Sequence, residues 1–164
     1  MRKMQIKANL IFTIVTIIKI VYKLMEYAYS KTGNVISKSA KIRGAQFVVN
    51  KGYSFIGNNV EIRGDKNNGK PVISWGIHVI LDDECIIQPA TRQDKFYPLI
   101  IGQNVYIGKK TKLEAASVGS HVVIGENCEI GNLAVIRDCT IILPNTKVPP
   151  GMVIGPGCEY GPDG

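Results

Sequence analysis

An aliphatic residue recurs every six positions through the C-terminal two-fifths of the chain. It stands at Ile101, Ile107 and Leu113 and, after one five-residue step, at Val118, Ile124, Ile130, Ile136, Ile142, Val148 and Ile154. Glycine follows it directly at Gly102, Gly108, Gly119, Gly125, Gly131 and Gly155, and a small or medium-sized residue sits four places after it, as at Val105, Thr111, Val122, Cys128, Ala134, Thr140, Thr146, Met152 and Cys158. A fixed short period marks a stacked architecture, and hexapeptides are one signature of a parallel β-helix. Three hexads make one triangular coil with the aliphatic residue pointing inward. The glycines are expected at the corners, where they accept backbone angles that other residues resist.

Upstream the pattern is less regular. Ile36 and Ile42 are six apart, Phe47 and Phe55 blur the register, Ile56 and Ile62 restore it, and Trp75, Leu81 and Ile87 continue it. Two stretches break the period. Residues 65–72 (DKNNGKPV) read as an exposed turn. Residues 88–98 (QPATRQDKFYP) are bracketed by Pro89 and Pro98 and must extrude as a loop, because the stack on either side is in register. A smaller defect is the short corner at 114–117. The predicted organisation is a basic, apolar and helical segment over 1–30, then an all-β single-stranded solenoid over 31–164 with the extruded loop at 88–98.

In the N-terminal segment Lys19 and Lys23 share one side of a helix, and Ile11, Ile14, Val15, Ile18 and Val21 line much of the other. The apolar run from Leu10 to Ile18 is well short of the roughly 20 residues a spanning helix needs. No small-residue cleavage site follows it, which opposes a secretory leader. A helix lying against the solenoid or a partner is the reading taken; membrane contact by residues 1–24 is the alternative, not favoured.

Charge sharpens this division. The formal net charge is +7. Residues 1–51 hold ten Lys/Arg against the single acid Glu26, whereas residues 52–164 hold ten against twelve. A near-neutral solenoid argues against a nucleic-acid groove along the coils. Of the four cysteines, Cys85, Cys128 and Cys158 occupy the small-residue slot, and Cys139 completes the set without forming a C-x-x-C pair. They read as packing residues rather than metal or redox groups.

Catalysis on such solenoids makes demands on histidine, and the chain has two, His78 and His121. Ile62-Arg63-Gly64-Asp65 resembles the R-G-D signature of γ-class carbonic anhydrases, but two histidines cannot supply the three protein ligands of a catalytic zinc. A hexapeptide acyltransferase using acetyl-coenzyme A needs one histidine as general base, and His121 is the fallback candidate. Otherwise no catalytic, cofactor or metal residue is expected. Arg92, Asp94, Lys95, Phe96 and Tyr97 place two aromatics beside charges on the extruded loop, a composition enriched at protein interfaces.

Several non-hexad pieces are similar to the dynactin subunit 5 family. They are Glu26-Tyr27 through Gly33-Asn34-Val35, the R-G-D tract, His78, Ile87-Gln88-Pro89, the run from Tyr97 to Ile107, Glu114-Ala115-Ala116-Ser117 and the coil after it, Arg137-Asp138-Cys139, Leu143-Pro144-Asn145-Thr146, and Val148-Pro149-Pro150. This resemblance covers roughly residues 20–158. It implies a left-handed winding and a non-enzymatic role as a cytoplasmic, cytoskeleton-associated subunit of the dynactin pointed-end complex. The partners it implies are a sister β-helix subunit, a pointed-end actin-related protein and dynein cargo adaptors in microtubule-based transport, with no cofactor.

Overall fold

The computed structural model describes residues 26–163. Short strands recur on three faces, and each pairs in parallel with strands one coil away rather than with its sequence neighbours. The first face carries Val35–Ser37, Phe55–Ile56, Val79–Leu81, Val105–Ile107, Val123–Ile124, Ile141–Ile142 and Glu159–Tyr160. The second carries Lys41–Arg43, Glu61–Arg63, Ile86–Ile87, Lys112–Leu113, Glu129–Ile130 and Lys147–Val148. The third carries Val48–Asn50, Ile73–Trp75, Leu99–Ile101, Ser117–Val118, Val135–Ile136 and Val153–Ile154. The chain is a single left-handed parallel β-helix.

The hexad aliphatics stack as the pattern requires. On the first face Ile36, Ile56, Leu81, Ile107, Ile124, Ile142 and Tyr160 lie in register down the column. Ile62, Ile87, Leu113 and Ile130 do so on the second face, and Trp75, Ile101, Val118, Ile136 and Ile154 on the third. Nearly all are buried, each contributing about 1.5–3 kcal/mol relative to exposure. The small-residue slots close the corners. There the polar members stay satisfied: Thr111 Oγ1 donates to the Gly125 carbonyl at 2.8 Å and Thr140 Oγ1 to that of Gly155 at 3.0 Å.

The glycines earn their places for a reason other than the expected one. Gly102, Gly108, Gly119, Gly125 and Gly131 do not adopt positive φ. A Cβ on Gly108 or Gly125 would instead meet backbone of the next coil at 2.6 Å (Glu126 N) or 2.5 Å (Pro144 N). The left-handed conformation falls on the residue just before the small slot: Asn59, Glu84, Lys110, Asn127 and Asn145 along one corner, and Tyr53, His78, Asn104, His121 and Cys139 along another. Asparagine and histidine tolerate that region better than most residues.

The helix expected over 1–30 lies mostly outside the described residues. Its last part is a strand: Tyr27–Tyr29 pairs antiparallel with Val35–Ser37 and closes the N-terminal edge of the first face.

Candidate functional site

The two long breaks in the period come together at the corner between the second and third faces. The segment expected as an irregular loop is a β-hairpin. Ala90–Arg92 pairs antiparallel with Lys95–Tyr97, and Gln93 and Asp94 turn the chain with φ of 49° and 58°. Positive φ at both central residues is the turn geometry whose twist matches paired strands. Asn132, two coils further on, clamps the hairpin root: its Oδ1 accepts from the Thr91 N–H and its Nδ2 donates to the Thr91 carbonyl, both at 2.7 Å.

The segment 65–72 grips the other side. Asn68 Nδ2 donates to the Phe96 carbonyl at 3.0 Å, and Lys66 Nζ donates to Gln88 Oε1 at 2.9 Å. Gln88 continues to the Glu114 carboxylate. The intervening corner is the one with a residue missing. Its Ala115 is fully buried in the core and Ala116 partly buried.

Of the five residues expected to contact a partner, Arg92, Asp94, Lys95 and Tyr97 are exposed, and Tyr97 is 41% accessible. Phe96 folds back, half-buried against the core. The hairpin thus presents one aromatic flanked by two cations and an acid. Sequence reasoning missed the clamp. Asn132 lies in an unbroken hexad, and nothing near it marks a long-range partner.

The histidines sit on a different corner. His78 and His121 belong to the column of left-handed residues, with Asn104 between them, and both are exposed. His78 Nδ1 lies 3.2 Å from Asn104 Oδ1, and its ring is 5.8 Å from that of Tyr53. His121 has φ of 58° and donates its backbone N–H to the Gln103 carbonyl at 2.9 Å. It thus serves as a turn residue whatever else it does. The R-G-D tract is tied up internally: Arg63 contacts Asp65 at 3.2 Å and Glu61 at 3.3 Å. The hydrogen bond from Arg63 holds the Asp65 carboxyl below the usual range. Among the described residues no group of three or more His, Cys, Asp or Glu could hold a metal ion. Burial pushes the Cys85 thiol up to about 12 and raises that of Cys128, whereas Cys139 and Cys158 are exposed.

Among solved structures, a candidate acetyltransferase of Bacillus cereus matches at 22% identity and a TM-score of 0.43, covering 82% of this chain and 72% of its own. LpxA of Acinetobacter baumannii matches at 15% identity and a TM-score of 0.34, covering 73% and 66%. Among curated proteins, dynactin subunit 5 of Dictyostelium discoideum is 32% identical over 103 residues, which is 60% of this chain and 50% of that protein. The chain therefore spans about half the length of this curated relative. The family model for dynactin subunit 5 matches residues 15–161. That match runs through the hairpin, the short corner and the Pro149-Pro150 ending, and the chain belongs to the dynactin subunit 5 family.

Proposed function

We propose that this chain is a non-catalytic structural subunit of the dynactin pointed-end complex. In this reading it packs beside a sister β-helix subunit and a pointed-end actin-related protein, and supports cargo-adaptor binding in dynein-driven transport in the cytoplasm. The observation that carries the reading is the family match over residues 15–161, which takes in every departure from the bare hexad pattern. The hairpin is the contact surface. Its root is held from two sides, so the tip is presented with little ordering left to be done on binding. Arg92, Asp94, Lys95 and Tyr97 supply an aromatic anchor and charges of both signs.

The test is purification of the tagged chain from its own cells. Co-purification of actin-related and dynein-associated proteins is the expected result, with recovery falling at least fivefold when Arg92→Glu and Tyr97→Ala are combined. Recovery of the wild-type chain as a lone homotrimer would overturn the proposal.

A further inference from the structure

The turn at 65–72 carries chemistry that its grip on the hairpin does not use. Of the asparagines in the sequence, Asn68 alone precedes a glycine. Each of the others is followed by a residue whose Cβ crowds the next peptide nitrogen. Asn68, Gly69 and Lys70 are exposed and belong to no strand or helix. Gly69 has φ of 80°, and a Cβ built on it would meet nothing within 4 Å. The root of the turn is fixed, because Asn67 Nδ2 donates to the Gly64 carbonyl at 2.8 Å and to that of Asp65 at 3.2 Å. At the tip, Asn68 Nδ2 donates to the Phe96 carbonyl at 3.0 Å, and the Gly69 N–H donates to Asn67 Oδ1 at 2.8 Å.

We propose that Asn68 is a site of spontaneous deamidation whose rate the docked hairpin controls. The reaction needs no enzyme and no reagent but water. The Gly69 nitrogen attacks Asn68 Cγ. An N–Cγ bond forms, the Cγ–Nδ2 bond breaks, and the Gly69 N–H proton leaves with the amide nitrogen as ammonia. The product is a cyclic succinimide. Water then opens the ring at either carbonyl, giving aspartate or isoaspartate at position 68 and one new negative charge. Glycine at 69 suits the first step twice over: no Cβ shields its nitrogen, and its backbone reaches angles that other residues resist.

Both hydrogen bonds at the tip oppose that step. The Gly69 nitrogen attacks after losing its proton, and the bond to Asn67 Oδ1 favours the protonated form. The bond to Phe96 restrains the carboxamide, which must move to find the closing geometry. Phe96 is itself held against the core, on a hairpin rooted at Asn132. The restraint therefore lasts while the hairpin is docked and lapses in local openings of this exposed turn. Afterwards the bond cannot re-form, because an ionised carboxylate only accepts and would face the Phe96 carbonyl oxygen. The hairpin keeps Asn132 and loses its grip on the other side, so one undocking event makes later ones easier. A partner seated on the hairpin slows the reaction, a consequence that rests on the hairpin being the contact surface; the reaction itself is a property of the isolated chain.

The purified full-length chain, aged at mildly alkaline pH and then digested for mass spectrometry, reports acid formation at each asparagine. Conversion is expected at Asn68 at least tenfold faster than at any other asparagine. It should also be at least threefold slower in the folded chain than in a synthetic peptide of residues 61–74. Asn132→Ala frees the hairpin root and should raise the rate in the folded chain at least threefold. Asn68→Gln keeps the amide but closes a ring far less readily, and should abolish the product. Amide exchange over 95–97 should quicken alike in the converted wild type and in Asn68→Asp. Conversion spread evenly over the asparagines, or none at Asn68, would overturn the site. A folded wild-type chain that reacts at the peptide's rate would overturn the hairpin's control without recourse to any variant. Exchange unchanged after conversion would show that Asn68 does not hold the hairpin, and would sink the latch.

Discussion

Replacing Gly125 by alanine tests why the glycines recur. The added Cβ would lie 2.5 Å from Pro144 N, 2.8 Å from Pro144 Cα and 2.9 Å from the Leu143 carbonyl carbon, where ordinary contacts begin at 3.4 Å. These are backbone atoms, so no side chain can swing aside, and the coils must part locally by about 0.9 Å. Two inter-coil hydrogen bonds straddle the spot, Gly125 N–H to Ile142 carbonyl and Asn145 N–H to Glu126 carbonyl, each at 2.8 Å. Overpacking of this kind costs about 1–3 kcal/mol, and weakening one or two backbone hydrogen bonds adds about 1 kcal/mol each. Against this, alanine stiffens the unfolded chain and returns about 0.4–1 kcal/mol. The net expectation is a loss of about 2–4 kcal/mol. Gly155 occupies the equivalent hexad position, yet its Cβ would meet only Cys158 Sγ at 3.5 Å. Gly155→Ala should therefore be neutral or slightly stabilising. Urea denaturation followed by the fluorescence of the single, buried Trp75 measures both. Equal effects of the two substitutions would refute the steric account and return the glycines to a conformational role.

Other expectations follow from the corners and the core. Asn132→Ala removes both hydrogen bonds to Thr91, so amide exchange over 90–97 should accelerate at least tenfold while the face strands keep their protection; unchanged exchange would show that the hairpin holds itself. At the left-handed position of His121, asparagine should be tolerated and valine should cost about 1–2 kcal/mol. If acetyl-coenzyme A turnover exists and both variants abolish it, a catalytic part for this residue must be added to its structural one. A thiol reagent at pH 8 should label Cys139 and Cys158 within minutes and reach Cys85 and Cys128 only after unfolding. The Cys85 proton leaves the unfolded chain near its ordinary 9.0 but the folded chain only near about 12. Folding therefore keeps the proton bound, and stability is full below pH 9 and lost as pH rises from 9 toward 12, at up to about 1.4 kcal/mol per pH unit. Tyr106, raised to about 12 first by its hydrogen bond to Asp82 and then by burial, acts in the same direction above pH 10. A stability curve flat between pH 8 and 11 would contradict this.

Much of the solenoid is written in residue spacing. Ile101 through Ile154 could be assigned to inward positions because a triangular coil repeats the same local geometry every six residues, so local pattern and global fold coincide. The reason for the glycines was not legible, because whether a Cβ has room depends on the backbone of the next coil, roughly 18 residues away in sequence. Tyr27–Tyr29 escaped for a related reason: three residues beside an apolar run carry no strand period of their own, and only the exposed edge of Val35–Ser37 recruits them. The hairpin was visible as an interruption bounded by Pro89 and Pro98, but its form rests on Gln93 and Asp94 taking left-handed angles without the asparagine–glycine pair that usually announces such a turn. Phe96 shows the limit of reading an interface from composition, since the pull of the core removes it from the surface that its neighbours Lys95 and Tyr97 still present.

The clasp at the corner changes how the molecule should come apart. Stability in a stacked solenoid is a sum over adjacent coils, and such a stack can fray from either end one unit at a time. Here Asn68, the hairpin and Asn132 tie together four successive coils, from the one ending in Ile73–Trp75 to the one containing Glu129–Ile130. The coil that carries the hairpin cannot part from the one containing Glu129–Ile130 without also breaking the Thr91–Asn132 bonds, which join two non-adjacent coils. The strapped block should melt as one cooperative unit. The last full coil, from Ile141–Ile142 to Val153–Ile154, and the strand Glu159–Tyr160 lie beyond the strap and are free to peel away first. Under load along the solenoid axis, the molecule would then yield in two steps, a soft end followed by a stiff body.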